Sequence, residues 1–277
     1  DARVALANVC LAQNRLPEAI RLMESAVVER PADVSLALSL ASALEAAGRS
    51  EDATRFLETR VSGGLEDGRL DFLLGAIAEK RADHAGADKW FARAAQREPA
   101  SAPRMSAMAE IELARGDADA ARRDATAALA ADSRVAGAHW ILARVLEREG
   151  RSEDALTEYG AEIAADAADE RAFTALAALA RRLGQLEAEW QLLVDAGRRH
   201  ADAVWPTVYG ARNRLDSGQF EDGVRLAQDA LKLSPSDRQS AFACFLLADL
   251  YNRLGDARRS AEFASKAQAF AGRAGGA

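Results

Sequence analysis

One residue position recurs along this chain every 34 residues, and this period constrains the fold more than any other feature. Six consecutive intervals keep register without an insertion, and the segment Gly-Arg-Ser-Glu-Asp-Ala occurs at 48–53 and again, three periods later, at 150–155. A fixed period of this length is typical of repeat architectures. The points of this lattice are Asn14, Gly48, Ala82, Gly116, Gly150, Gly184 and Gly218.

Small and large residues keep constant offsets from the lattice points. This spacing predicts that each unit forms two amphipathic helices, which approach closely at the small residues. Pro31, Pro99 and Pro235 are expected to end units, because proline stops a helix. The small residues before the turn are Ala7, Ala41, Gly75, Ala109, Ala143, Ala177 and Ala211. Most follow a large residue that we expect to pack in the core: Leu6, Leu40, Leu74, Met108, Leu142 and Leu176. After the turn come Ala19, Ala53, Ala87, Ala121 and Ala155, and then the larger Met23, Leu57, Phe91, Tyr159 and Leu193.

This pattern resembles the tetratricopeptide repeat, a 34-residue helix–turn–helix unit, over essentially the whole chain. The resemblance implies an all-α, right-handed superhelical solenoid of about eight helix pairs. Stacking supplies the continuous core that one pair cannot form alone, so we expect a single domain over 1–277. The repeats are expected at 1–33, 34–67, 68–101, 102–135, 136–169, 170–203, 204–240 and 241–274. Departures from the pattern are Arg60, Glu162, Glu189 and Gly223 in place of small residues, and about three extra residues within 236–240.

Composition agrees with closely packed helices and excludes several functions. Hydrophobic residues make up 49% of the chain and aromatic ones only 6%, which favours helices over sheets. The balance of 36 basic against 43 acidic residues gives a net charge of -7, which argues against binding nucleic acid. No apolar run is long enough to span a membrane. Arginine supplies 32 of the 36 basic residues, which suggests a bacterial protein with a GC-rich genome, and we favour the cytoplasm over the periplasm.

The sequence predicts neither a cofactor nor a catalytic centre. Cys10 and Cys244 lie at opposite ends of the chain, so they indicate no metal site and no disulfide framework. His84, His139 and His200 fall in different repeats at different helical phases, which fits no metal-ligand spacing. Phosphate-binding loops and nucleophile motifs are absent from the sequence. We therefore expect a protein that is not an enzyme.

The family resemblance implies a ligand groove lined by the first helix of each pair. Its N-terminal half is neutral to acidic, and its C-terminal half is basic and aromatic, with Trp140 and Trp205 exposed as anchors. We expect it to bind a partner polypeptide with acidic and apolar side chains. The N-terminal lining is Asn8, Leu38, Ser42, Glu45, Phe72, Glu79 and Glu110. The C-terminal lining is Trp140, Arg144, Arg148, Arg171, Arg181, Arg182, Trp205, Arg212, Phe242, Phe245 and Arg253, with Glu147, Asp216 and Asp249 as counter-charges.

Other interpretations remain open at this point. Some family members hold a terminal carboxylate with a Lys–Asn clamp, but Val4 stands where that Lys is expected, so we do not expect this clamp. The chain begins without Met, which suggests a fragment, and it could be the regulatory or substrate-positioning part of an enzyme whose catalytic domain precedes Asp1. A scaffold could also use its ends. The last helix, at about 260–270, keeps Phe263 and Phe270 before a flexible tail at 271–277, so the C-terminal repeat could self-associate.

Overall fold

The structure is a computed structural model that describes residues 2–97 and 101–275, and these residues form sixteen helices and no strand. They divide into two compact units, 2–97 and 101–275. A single solenoid over 1–277 stays a prediction. The first unit contains α1 (Ala2–Ala12), α2 (Leu16–Glu29), α3 (Val34–Ala46), α4 (Ser50–Ser62), α5 (Gly68–Lys80) and α6 (His84–Arg97). The second contains α7 (Ala102–Arg115), α8 (Ala118–Ala131), α9 (Ala138–Arg148), α10 (Ser152–Ala165), α11 (Glu170–Leu183), α12 (Leu186–Arg199), α13 (Val204–Asp216), α14 (Phe220–Lys232), α15 (Asp237–Arg253) and α16 (Ala257–Gly275).

The turns inside the helix pairs confirm the predicted lattice. Every lattice glycine adopts a left-handed backbone, with φ between 69° and 90°. Asn14 and Ala82 adopt it as well, at φ 56° and 60°, although side chains disfavour this region. The same turn recurs at Gly255, 37 residues after Gly218, because of the extra residues that precede α15. Each odd-numbered helix is therefore the first helix of a pair and each even-numbered helix the second.

The predicted rows of small residues are buried between helices. All seven small residues before the turns are buried, and a Cβ added to Gly75 would lie 2.5 Å from the Phe91 ring. Small residues at these points allow the two helices of a pair to pack closely. The prediction that Leu6 is a core residue is wrong, because its side chain is 47% exposed. Leu6 lies on α1, and the main packing partner of α1 among the described helices is α2.

Each unit has its own apolar core. In the first unit it contains Met23, Leu40, Leu57, Leu74 and Ile77, all at most 2% exposed. The second unit has a smaller Ala-rich cluster from α7 to α9 and a larger one that includes Tyr159, Phe173, Leu176 and Leu247. No helix among the described residues combines the length and the apolar character needed to cross a bilayer.

The ends of the helices differ in part from the prediction. Helix α2 ends at Glu29, just before Pro31, as expected, whereas Pro99 lies outside the described residues. The predicted flexible tail at 271–277 is wrong for residues 271–275, which continue α16; residues 276 and 277 lie outside the described chain. Arg273 anchors this last turn, since its guanidinium contacts the Asp237 carboxylate at 3.1 Å and lies over the Phe270 ring.

Candidate functional site

Helix α9 carries the first predicted site residues, and a carboxylate from the next helix fixes where it begins. Its N-cap residue, Gly137, has no side chain that could cap it. The fully buried Glu162 of α10 accepts hydrogen bonds from the backbone N–H groups of Gly137 at 2.6 Å and Trp140 at 3.1 Å. Burial raises the pKa of Glu162, and the two N–H groups oppose that rise. Glu162, which departs from the repeat pattern, thus fixes the turn from which Trp140 projects.

Trp140 is half-buried, and two guanidinium groups lie over its ring. The Cζ of Arg171 lies 4.7 Å from the indole centroid and that of Arg144 lies 5.9 Å from it, both within cation–π range. Arg171 also contacts Asp169 and donates to Glu110 of α7 at 2.7 Å, and the bond to Asp169 raises the pKa of Arg171. The structure therefore brings three predicted site residues from α9 and α11 together, held by a carboxylate of α7.

The Glu147 carboxylate connects a second group of residues on α9, α10 and α11. One of its oxygens accepts from Arg144 at 3.0 Å and from the Tyr159 hydroxyl at 2.6 Å, and the other accepts from Arg182 at 3.0 Å. Burial and this carboxylate raise the pKa of Tyr159. Glu147 is thus the counter-charge that the sequence predicted, and Tyr159 anchors it to the core.

Asp216 plays the same role two repeats later. It accepts from Arg181 Nε at 3.2 Å and lies 3.9 Å from Arg212, whose guanidinium covers the Tyr209 ring. Arg148 differs from the other predicted arginines, because it donates to the Leu113 backbone carbonyl at 3.1 Å. Only this arginine of the predicted set points back to α7 through a backbone acceptor.

We call the connected surface on α9, α11 and α13 the arginine face, defined as Trp140, Arg144, Arg171, Arg181, Arg182 and Arg212. Its five arginines all have carboxylate partners, so the face is an array of ion pairs rather than a set of free cations. The side chains of Arg171 and Arg182 are nevertheless 50% and 61% exposed. An array of this kind can exchange an internal carboxylate for one from a ligand.

The prediction that Trp205 is an exposed anchor is wrong. Trp205 is only 6% exposed, and its ring lies 5.9 Å from Tyr209 and 6.3 Å from Phe242, between centroids. Helix α15 packs against α13 and places Phe242 over the indole. The indole contributes one edge to a cleft of about 440 Å³ near the end of the second unit, which Phe242 and the exposed Phe245 also line.

In the first unit, several predicted ligand-facing residues are engaged within the unit. The Phe72 ring packs 5.2 Å from that of Phe91. The Glu79 carboxylate lies 2.9 Å from Nδ1 of His84, and the Glu45 carboxylate lies 3.6 Å from the Lys80 ammonium. These contacts leave the arginine face of the second unit as the better candidate for a partner site.

The histidines of the second unit contact neighbouring groups. His139 contacts Glu158 at 2.7 Å, and His200 contacts the Ala164 carbonyl at 3.0 Å. Within residues 2–97 and 101–275, no three His, Cys, Asp or Glu side chains are placed to hold a metal ion. Cys10 and Cys244 are both buried and unpaired.

The positioning residues Glu110, Asp169, Tyr159 and Glu162 were not predicted as a group. Glu110 is predicted to lie in a separate acidic half, but it binds Arg171, 61 residues further on. A charged residue in place of a small one was the only available signal for Glu162. Asp169 is the N-cap of α11, and its contact with Arg171 is local. No pattern in the sequence links Glu110 or Tyr159 to its partner, because each of these two contacts joins different helices.

Comparisons with known proteins agree with the helical-repeat geometry. The sequence profile of the tetratricopeptide repeat matches residues 4–59 and 106–173. No curated protein sequence has a significant match to the chain. The crystal structure of yeast Tom70 aligns with a TM-score of 0.52 at 14% identity, covering 97% of this chain and 77% of that one. A tetratricopeptide repeat protein from Parabacteroides merdae aligns with a TM-score of 0.49 at 11% identity, covering 88% and 97%. At 14% identity, the alignment with Tom70 bears on the fold alone.

Proposed function

We propose that this chain, which matches the tetratricopeptide repeat profile over residues 4–59 and 106–173, is a protein-binding scaffold whose arginine face holds a segment of a partner polypeptide. The observation that carries the proposal is Trp140, half-buried and in contact with the guanidinium groups of Arg144 and Arg171. Trp and Arg are among the side chains most enriched at binding hot spots. An aromatic ring beside two positioned cations offers both an apolar surface and hydrogen-bond donors.

The ion pairs of the arginine face define the partner's chemistry. Guanidinium groups that are half-exposed can bind a second carboxylate through donors that their internal partners leave unused. Glu110, Glu147 and Asp216 neutralise part of the positive charge of these arginines. We expect the charge that remains to contribute mainly to the orientation of the partner and to the association rate. Apolar side chains of the partner would supply most of the affinity through Trp140. The partner segment is thus acidic and apolar.

The test begins with a partner identified by crosslinking to the intact chain, whose binding is then measured by titration calorimetry and stopped-flow kinetics. We expect Trp140→Ala to weaken binding by about 2 kcal/mol. The double reversal Arg181→Glu with Arg182→Glu should mainly slow association, and the effect should shrink at high salt.

A matched control is available on α12. Arg198 and Arg199 also lie in the last turn of a helix, so their reversal to Glu carries the same cost against the helix dipole. This control should leave binding unchanged. If it weakens binding as much as the α11 reversal does, or if Trp140→Ala has no effect, the arginine face is not the binding surface.

A further inference from the structure

The last helix pair exposes a face that the preceding pair has covered. Counting from the turn glycines Gly218 and Gly255, Phe242 corresponds to Trp205 and Phe245 to Val208. Trp205 and Val208 are 6% and 0% exposed, whereas Phe245 is 61% exposed. Equivalent positions in two successive repeats therefore differ in what lies over them.

Helix α15 covers the preceding pair by packing into the space between α13 and α14. The Phe242 ring lies against Trp205 and 5.5 Å from Tyr209. On the other side, a Cβ added to Gly223 of α14 would lie 2.7 Å from Leu250 of α15. Gly223 replaces the Ala of the repeat pattern, and this replacement lets α15 approach closely. The chain thus contains an example of how a helix occupies this face.

On the last pair, the equivalent face is the open cleft of about 440 Å³. Aromatic residues of α15 form one wall, and small residues of α16 form the other. The Glu170–Arg238 ion pair, at 2.9 Å, lies at its rim. We call this surface the end face, defined as Ala241, Phe242, Phe245, Ala267, Gln268 and Ala271. Small residues opposite aromatic ones leave room for a helix to pack closely.

The charge of α16 restricts what can occupy the end face. The helix carries Arg258, Arg259, Lys266 and Arg273 but only one acidic residue, Glu262, so its formal charge is 4 − 1 = +3 in a chain whose net charge is -7. Arg259 and Arg273 are paired with Asp256 and Asp237, which lie outside the helix and reduce this excess without reversing it. A second copy that docked through its own α16 would bring like charges together, which opposes association. An acidic helix would instead be attracted to this end of the second unit.

We propose that the end face binds an amphipathic helix of a partner protein, with acidic residues beside its apolar stripe, seated as α15 is seated on α13 and α14. Apolar side chains of that helix would contact Phe242 and Phe245, as α15 contacts Trp205 and Gly223. Its carboxylates would be attracted by the excess positive charge of α16. This site is distinct from the arginine face and does not depend on the function proposed for it.

The probes for the test are two labelled peptides derived from α15, residues 237–253, which already fits such a face. Both carry Cys244→Ala. The acidic peptide also carries Arg238→Glu and Arg253→Glu, and the basic peptide carries Asp237→Lys and Asp249→Lys. Binding to the full chain is measured by fluorescence anisotropy. We expect the acidic peptide to bind about tenfold more tightly than the basic one, with the difference shrinking as salt is added.

Two variants locate the site on the end face. Phe245→Asp changes an exposed side chain, and Ala271→Glu adds an acidic group to the opposite wall. Each should weaken binding of the acidic peptide about tenfold or more while circular dichroism shows an unchanged helix content. Val28→Asp is the matched control, because Val28 is 78% exposed on α2 of the first unit, and it should not change binding.

Three results would overturn the proposal. The first is equal affinity for the acidic and basic peptides. The second is binding that survives both Phe245→Asp and Ala271→Glu. The third is a dimer in sedimentation experiments that Phe245→Asp abolishes, because this would assign the face to a second copy of the chain.

Discussion

Buried carboxylates connect neighbouring helices at the residue scale. Glu162 caps α9, Glu189 accepts from Asn213 Nδ2 at 2.9 Å, and Asp71 lies between 3.0 and 3.3 Å from Arg97 and Arg93. Burial raises the pKa of all three groups. Burying a carboxylate is costly unless donors surround it, so each of these residues depends on the helix that supplies its partner.

We expect Glu162→Ala to lower the free energy of unfolding by about 1–3 kcal/mol, because two N–H groups at the start of α9 lose their acceptor. Urea titration followed by circular dichroism measures this loss. Glu158→Ala on the same helix is the control, since Glu158 pairs with His139 near the surface. An equal loss in both variants would show that the cap of α9 contributes nothing specific.

Glu112 on α7 should make stability depend on pH. Burial raises its pKa from 4.5 to about 7, assisted by the nearby Asp124 and Asp117. A raised folded-state pKa means that the folded chain binds the proton more tightly, so stability falls as pH rises from about 4.5 to about 7. Glu112→Gln should remove this fall, and its urea midpoint should exceed that of the original chain at pH 8 but not at pH 4.5. The exposed Asp195→Asn should leave the fall intact.

At the scale of the helix pair, the left-handed turn residue sets the path between the two helices. Ala82 adopts this conformation at φ 60°, which costs more for Ala than for Gly. A Cβ added at the turn residue Gly116 would have no atom within 4 Å. The preference for glycine at this position therefore comes from the backbone conformation alone. The glycine lattice thus follows from backbone conformation rather than from packing.

This makes opposite changes informative. Ala82→Gly should raise the free energy of unfolding by about 0.5–1 kcal/mol, and Gly116→Ala should lower it by about 1 kcal/mol, as judged from urea midpoints. Ala127→Gly, in the exposed middle of α8, serves as the control for glycine flexibility and should be destabilising. If Ala82→Gly does not raise the free energy of unfolding, the backbone explanation is wrong.

At the scale of the whole molecule, we expect the loss of a core side chain to destabilise the repeats near it more than distant repeats. Phe173 is fully buried in the larger core of the second unit. Phe173→Ala should cost about 3–5 kcal/mol locally, because it leaves a cavity among helices α10 to α13. In repeat proteins such a loss is transmitted mainly to neighbouring repeats.

Hydrogen exchange measured by mass spectrometry can follow this distribution. We expect faster exchange in α10 to α13 of the Phe173→Ala variant and unchanged exchange in α1 to α4. Leu57→Ala in the first unit is the converse experiment, since Leu57 is 0% exposed there. Uniform acceleration along the chain in both variants would show that all repeats unfold as one cooperative body.

The period of the sequence determined the helices, the turns and the buried small residues. Turn conformation and helix phase are set by residues within one repeat, so a constant spacing is enough to predict them. The left-handed backbone at Asn14 and Ala82 shows that the lattice holds even where glycine is missing.

Only the tertiary structure decided which side chains are covered and which charges meet. Leu6 was predicted to be buried but is exposed, and Trp205 was predicted to be exposed but is buried. Burial depends on the neighbouring helix and not only on the position of a residue around its own helix. Arg181 and Arg182 reach carboxylates 35 residues away, and Arg171 reaches one 61 residues away. A local pattern predicts which residues face outward from a helix, but it contains no information on the distance between helices. That distance decides whether an arginine of one helix can pair with a carboxylate of another.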